Sequence, residues 1–212
     1  QGGSTNAMTT GFGDAAIVAD AERNELLVML VCGKTVCWHG NYIPDSPESN
    51  PNRVARVRAK YNDMTGQWEW SEPVEVTEQI YRQFVDKDNK PTVQSLFIGS
   101  GKICQSRLIK VGDYYRLYCS VWTKNGGNRV LYSDDFGENW YRLGQIDERP
   151  APNGDEPKVE ELPDGSVLLS SRCTGRYFNI YTYTDVKKGE GSWGTVALSN
   201  AKNRGVAAEG NS

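Results

Sequence analysis

The sequence predicts an all-β fold, and three features of its 212 residues indicate this. Aromatic residues make up 10% of the chain and 22 residues are glycine, a composition that favours strands joined by many turns. Short strand-like runs recur throughout and are separated by turn signals such as Asn125-Gly126-Gly127. A helical pattern occurs convincingly only once, near Thr77. These features leave a sandwich, a barrel or a propeller as the architecture.

The predicted strands follow one another along the chain with short connections. We predict them at residues 15–19, 25–32, 35–38, 54–60, 93–99, 106–111, 114–122, 129–133, 140–143, 158–162, 166–171, 177–182 and 194–198. The helix should run for about two to three turns from Thr77, which is expected to cap it, with Ile80 and Phe84 on one face. Asp164-Gly165 lies between two of the strands and predicts a hairpin.

A weak internal repeat favours the propeller. Trp68, Trp140 and Trp193 each follow a strand, an acidic turn and a glycine, at spacings of 72 and 53 residues. These spacings approach the length of a four-stranded blade that carries insertions.

The clearest copy of the repeat, residues 133–140, has the Asp-box pattern Ser-x-Asp-x-Gly-x-x-Trp. We expect the Ser133 and Asp135 side chains to bond the amides of their own turn, and Gly137 to supply a positive φ. Trp140 is expected to pack between sheets. These four residues are therefore assigned a structural role rather than a catalytic one.

Composition and charge limit the function classes. A net charge of −3 provides no strong basic field for nucleic acid or an anionic membrane. The alternating basic residues Arg53, Arg56, Arg58 and Lys60 are expected to form one solvated strand face. No apolar run is long enough to cross a bilayer, and no secretory signal is predicted within this chain. The five cysteines are expected to be buried reduced thiols, and the single histidine, His39, argues against a structural zinc site.

Residues 153–172 carry the most specific pattern. An acidic residue, Glu156, opens a strand, a Glu-Leu-Pro-Asp-Gly hairpin follows, and Arg172 ends the return strand. A hairpin of this kind brings its two outer ends side by side, so both side chains are expected to face one pocket. The alternative is a surface acid, with Arg172 paired to Glu160 or Asp155 on a rim. Trp122 is expected to serve core packing rather than a sugar site.

With the Gly11-Phe12-Gly13-Asp14-Ala15 segment, these motifs resemble bacterial exo-α-sialidases (neuraminidases) with Asp-box, or BNR, repeats, most of all those of Bacteroidales-like bacteria. The resemblance covers nearly the full length and implies a six-bladed β-propeller, with about four blades in this chain. It implies that Glu156 pairs with the catalytic tyrosine and that Arg172 is one of three arginines on the substrate carboxylate. Asp14 is the candidate for the sugar 4-hydroxyl, and Gln105 for the glycerol tail or N-acetyl group.

These residue types suit the chemistry of sialic acid, whose anomeric carbon carries a carboxylate. Arginine binds a carboxylate through two parallel hydrogen bonds, which lysine cannot match. A carboxylate nucleophile would be repelled by that group, whereas a tyrosine is neutral until a neighbouring glutamate takes its proton. Sialidases are accordingly the glycosidases with a tyrosine nucleophile. No metal or cofactor is expected.

The chain departs from the family at both ends. It lacks the Arg-Ile-Pro motif of the first arginine, the acid/base aspartate that follows, the third arginine and the tyrosine. We therefore expect residues 1–212 to be the central fragment of one catalytic propeller, completed by a complementary chain or by the remaining parts of the same polypeptide. Sialylated glycans are the expected substrates, and the expected location is secreted, periplasmic or cell-surface. The rival hypothesis is a non-catalytic Asp-box propeller that binds glycans or proteins.

Overall fold

The computed structural model describes residues 12–32, 52–93, 95–124, 126–152, 154–173 and 175–198. Strands dominate these ranges, which confirms the predicted all-β class. In chain order the elements are β1 (Phe12–Asp20), β2 (Glu25–Cys32), β3 (Arg53–Asn62), β4 (Gln67–Trp70), β5 (Val74–Glu75), α1 (Thr77–Tyr81), a 3-10 turn (Arg82–Phe84), β6 (Leu96–Ile98), β7 (Gly101–Lys102), β8 (Cys104–Val111), β9 (Tyr114–Thr123), β10 (Gly127–Ser133), β11 (Tyr141–Arg142), β12 (Asp155–Glu161), β13 (Val167–Cys173), β14 (Gly175–Asp185), β15 (Glu190–Trp193) and β16 (Ala197–Leu198).

The described strands form three sheets, each built mainly from antiparallel neighbours in the chain. The first has the order β4-β3-β2-β1, the second β11-β10-β9-β6 and the third β12-β13-β14-β15. Short strands extend them: β5 pairs with β3, β8 with β9 and β16 with β14. The strand β7 lies in the chain between β6 and β8 of the second sheet, but it pairs in parallel with β1 and so connects the first two sheets. The expectation of about four blades came from chain length, and the described ranges contain three sheets.

Two apolar clusters hold the three sheets face to face. The first lies between the first and second sheets and includes Leu27, Met29, Leu117 and Leu131. The second cluster lies between the second and third sheets and includes Val159 and Leu169. Its remaining residues are Cys104, Tyr118, Val130, Leu143, Ala151, Val167, Tyr181 and Trp193. Since each sheet buries side chains against the next, the packing is that of successive blades rather than of one closed barrel.

The turn at residues 133–140 packs against the first sheet. The Ser133 hydroxyl oxygen accepts the Gly137 N–H at 2.8 Å, and Asp135 Oδ1 accepts the Asn139 N–H at 2.8 Å. Gly137 has φ +79°, a conformation that glycine adopts without a steric penalty. Trp140 is 1% exposed and belongs to the cluster between the first two sheets.

Two of the basic residues of β3, Arg56 and Arg58, correct the expectation of a solvated face, whereas Lys60 is 70% exposed as expected. Arg56 donates to the Gly137 carbonyl at 2.8 Å, and Arg58 donates to the Asp135 carbonyl at 3.1 Å and also to the Phe136 carbonyl. Both arginines also contact Glu138. They therefore bind the turn of the neighbouring sheet, a tertiary partner that the alternation of the strand does not reveal.

The helix also differs from the sequence prediction. It has only five residues before the 3-10 turn, and the residue at its N-cap position is Val76, without a side-chain hydrogen bond. Thr77 is buried, and its hydroxyl oxygen accepts the Val54 N–H at 3.0 Å. The prediction that Thr77 caps the helix was therefore wrong, because β3 competes for the same hydroxyl. The expected strand at 35–38 and His39 lie outside the described residues.

The described cysteines agree with the prediction of buried reduced thiols. Cys32, Cys104 and Cys119 are free and buried. Burial raises the pKa of Cys119 to about 12, so this thiol stays protonated at neutral pH. No helix in the part of the chain that the structure describes has the length and apolar character needed to cross a membrane.

Candidate functional site

A cavity of about 230 Å³ lies where the first strands of the three sheets meet. All three sheets contribute to its wall: the lining residues are Asp14 of β1, Phe97, Ile98, Gly99 and Ser100 at and after β6, Trp122 of β9, Asp155 and Glu156 of β12, and Arg172 of β13. The structure therefore brings Asp14, Glu156 and Arg172 together, although up to 158 positions of sequence separate them.

The hairpin of β12 and β13 places two of these residues. Its turn closes through a hydrogen bond from the Gly165 N–H to the Leu162 carbonyl at 2.9 Å, and Asp164 Oδ1 accepts the Ser166 N–H at 3.0 Å. At the open end Asp155 lies directly opposite Arg172, and the register shifts between Asp155 and Lys158. The hairpin thus delivers a carboxylate pair and a guanidinium to the same cavity.

The Arg172 guanidinium contacts two carboxylates. Its terminal nitrogen donates to Asp155 Oδ2 at 3.0 Å. Its Nε lies 2.8 Å from Glu156 Oε2, but the N–H is not directed at that oxygen, so this contact is an ion pair without a hydrogen bond. The Arg172 side chain is 35% exposed and Glu156 is 43% exposed, so both remain accessible to a ligand.

Two acidic residues of the cavity have unusual backbones. Asp14 has φ +42° and Glu156 has φ +39°, in the left-handed region that L residues seldom occupy. Each lies where the register of its strand shifts, between Gly13 and Ala16 in β1 and between Asp155 and Lys158 in β12. Bulges of this kind redirect side chains and are common beside active sites.

Asp14 has an oxygen without a partner. Its Oδ2 is buried and makes no hydrogen bond to any of the described residues. Burial raises the pKa of this carboxyl, because the charged form loses its hydration. Because Asp14 lines the cavity, a ligand hydroxyl that reached this oxygen would supply the missing donor.

An aromatic pair forms another part of the wall. The Phe97 and Trp122 rings stack with centroids 4.7 Å apart at an interplanar angle of 22°. The cavity therefore combines charged groups with an aromatic surface, which suits a ligand that has polar groups and C–H faces, such as a sugar. Core packing was the favoured expectation for Trp122, but the residue is partly exposed and lines the cavity.

Other candidates lie elsewhere. Gln105 is on β8 opposite Leu117 and is not among the residues that line the cavity, so its contact with a ligand stays a prediction. Asp155 lines the cavity, although sequence considerations had offered it only as a rim partner of Arg172. The described lining contains no tyrosine, and the described residues contain no group of three His, Cys, Asp or Glu side chains placed to hold a metal ion.

Comparison with known proteins gives one significant curated relative. The chain is 30% identical over 200 residues to a sialidase of Micromonospora viridifaciens, a match that covers 92% of the chain and 28% of that protein. No protein-family model matches the chain. The chain therefore spans less than a third of the length of this relative.

Several solved structures share the fold. The sialidase of Trypanosoma rangeli matches with a TM-score of 0.59 at 19% identity, over 86% of this chain and 27% of that one. The K499G mutant of NanB sialidase from Streptococcus pneumoniae matches with a TM-score of 0.57 at 12% identity, over 92% and 41%. The intramolecular trans-sialidase of Ruminococcus gnavus, in complex with oseltamivir carboxylate, matches with a TM-score of 0.54 at 15% identity, over 89% and 54%. At these identities the matches show the fold alone, and they confirm the predicted sialidase-type propeller.

Proposed function

We propose that this chain is the central part of the catalytic propeller of an exo-α-sialidase that removes terminal sialic acids from glycans. The observation that carries the proposal is the contact of Arg172 with Glu156 in a cavity that also receives Asp14 from another sheet. A non-catalytic scaffold gains nothing from an accessible glutamate beside an arginine at its centre. The identity of 30% to the Micromonospora sialidase supports the same assignment.

In this proposal Glu156 acts as the base for a tyrosine that lies outside the described residues. The tyrosine attacks the anomeric carbon and the glycosidic oxygen leaves after protonation by an aspartic acid, also outside the described residues. A covalent tyrosyl-sialoside forms, and water then releases the sugar with retention. Arg172 holds the sugar carboxylate, and Asp14 accepts the 4-hydroxyl proton in a hydrogen bond.

The cavity carries more negative than positive charge. The described lining contributes three carboxylates against one guanidinium, and two of the carboxylates contact that guanidinium. An anionic substrate would meet net repulsion here unless more positive charge is supplied. We propose that two further arginines come from the rest of the same propeller or from a complementary chain, and that the protein acts outside the cytoplasm on sialylated glycans.

The test uses the longer polypeptide that we propose contains this chain, and it measures hydrolysis of a fluorogenic sialoside. Glu156→Gln removes the base and should lower kcat by roughly 10²- to 10⁴-fold, the range typical of general acid–base catalysis. Arg172→Lys keeps the charge but loses the two-pronged bond, so KM for the sialoside should rise strongly.

Matched controls separate the site from general damage. Glu160→Gln changes an exposed glutamate of the same strand, whose partner is Lys102, and Arg107→Lys changes an exposed arginine of β8. Both should leave kcat and KM near wild type. Full activity in Glu156→Gln and Arg172→Lys would remove the enzymatic assignment, and a folded wild-type polypeptide that binds sialosides without hydrolysing them would favour the glycan-binding rival.

A further inference from the structure

The Asp155 carboxylate is bound at both of its oxygens. Oδ1 accepts the backbone N–H of Glu156 at 2.8 Å, and Oδ2 accepts the terminal nitrogen of Arg172 at 3.0 Å. One side chain thus connects the backbone of the proposed base to the guanidinium of the proposed carboxylate binder. Because Asp155 and Arg172 are direct partners across the hairpin, this link joins its two strands at their open end.

The strand geometry shows why this link is unusual. Neighbouring residues of a regular strand point to opposite faces, yet Asp155 and Glu156 both line the cavity. The bulge and the positive φ of Glu156 make this possible. The hydrogen bond from the Glu156 N–H to Asp155 supports that backbone conformation. The local conformation that directs Glu156 into the cavity therefore depends in part on the side chain before it.

The contacts of Arg172 differ in kind between the two carboxylates. Asp155 accepts a directed hydrogen bond, whereas Glu156 contacts Nε without one. If Asp155 were removed, the guanidinium would keep Glu156 as its carboxylate neighbour within the hairpin and would turn fully towards it. A closed ion pair of this kind would engage both the group that takes the tyrosine proton and the group that binds the substrate carboxylate.

We infer that Asp155 is a positioning residue, and this inference rests on the proposed function. Asp155 holds Arg172 aside, so that Glu156 stays available as a base and the guanidinium keeps a free edge for the sugar carboxylate. Asp155 itself does not touch the reacting atoms. Its charge and its two acceptor oxygens are both needed, because it must satisfy a cation and a backbone amide at the same time.

The test is a kinetic cycle in the longer polypeptide on a fluorogenic sialoside. Asp155→Ala should lower kcat/KM about 100-fold, the scale expected when reacting groups are misplaced by about 1 Å, with kcat falling and KM rising together. Asp155→Asn keeps one acceptor and should lose roughly 10-fold, between the wild type and the alanine variant. Asp113→Ala, at a side chain that is 89% exposed, is the control and should change neither constant.

A double variant separates positioning from structural support. In an Arg172→Ala background there is no guanidinium to hold, so adding Asp155→Ala should cost clearly less kcat/KM than it does in the wild type, and only the share that comes from the hydrogen bond to the Glu156 N–H should remain. A loss of equal size in both backgrounds, or wild-type kinetics in Asp155→Ala and Asp155→Asn, overturns the inference. Melting temperatures measured alongside correct for misfolding, and Asp155→Asn serves if the alanine variant does not fold. An inactive wild type instead overturns the proposed function itself.

Discussion

Replacing Gly99 by alanine tests how tightly the cavity floor is packed. Three backbone segments meet there: the Gly99 N–H donates to the Ser120 carbonyl at 2.7 Å, and the Ser120 hydroxyl donates to the Pro157 carbonyl at 2.9 Å. A Cβ on Gly99 would lie 2.8 Å from the Pro157 carbonyl oxygen and 3.0 Å from that of Ser120, with Ser120 Oγ closer than either. Since two of these obstacles are backbone atoms, the side chain cannot be accommodated by a rotamer change alone.

The cost of Gly99→Ala follows from these contacts. Overpacking a dense region costs about 1–3 kcal/mol, and displacing the Ser120 hydroxyl from Pro157 adds about 1 kcal/mol for a lost hydrogen bond. The free energy of unfolding should therefore fall by about 2–4 kcal/mol. For a domain of this size each kcal/mol lowers Tm by about 2–4 °C, so calorimetry should show a decrease of about 4–16 °C. Under the proposed function, sialoside hydrolysis by the longer polypeptide should also fall by more than the unfolded fraction explains, because Pro157 follows Glu156.

Gly13→Ala is the matched control for this experiment. Gly13 also precedes a cavity residue, and a Cβ there would meet no atom of the described residues within 4 Å. Its Tm should stay within about 2 °C of the wild type, because no contact has to move. Equal melting temperatures and equal activities for the Gly99 and Gly13 variants would refute the packing argument and, with it, the tight coupling of the cavity floor to Glu156.

Two further substitutions test the electrostatics. Burial raises the pKa of Asp14, so the ionisation of this carboxyl disfavours the folded state. Asp14→Asn should therefore raise Tm at pH 7. The gain in Tm should shrink as the pH falls through the pKa of the folded state, and it should vanish below the pKa of the unfolded state, about 3.9. A gain that persists at pH 3 would contradict this cause. Arg116 is fully buried and bonds both oxygens of Asp134 at 2.7 and 2.8 Å, so Arg116→Met should cost about 3–5 kcal/mol in urea unfolding by leaving Asp134 unpaired. An unchanged urea midpoint would show that water replaces the guanidinium.

Local patterns in the sequence predict much of this fold. The run of apolar residues at 26–32 lies within β2, and the Asp164-Gly165 signal marks the turn between β12 and β13. Such elements are determined by the side-chain period and by turn residues, which are local properties. The short strands β4, β5, β7 and β15 were not predicted. The strand β7 has only two residues, and its partner β1 lies more than 80 positions earlier, so its own sequence carries no signal.

The residues of the candidate site were likewise predicted only in part. Glu156 and Arg172 were assigned from the resemblance of residues 153–172 to a sialidase motif, and the hairpin between them was expected to bring them side by side; the structure has them in contact. The placement of Phe97 and Trp122 in the wall depends on how the second sheet packs against the third, which no single-strand pattern encodes. Gln105 had no local geometry behind it, only a loop resemblance, and it lies outside the cavity lining.

The backbone of the cavity argues for function over scaffolding. Among the described non-glycine residues with positive φ, Asn24 and Asn89 belong to a type that tolerates this conformation, whereas Glu156 has neither a short side chain nor a turn to justify it. Glycine at Glu156 would relieve the strain and keep the bulge. A glutamate nevertheless occupies this position and contacts Arg172 in an accessible cavity. The fold therefore bears a conformational cost where it presents this carboxylate. Strained residues occur at active sites and at ligand clamps alike, so the conformation of Glu156 indicates a functional cavity, and the hydrolysis assay decides between the proposed enzyme and the binding module.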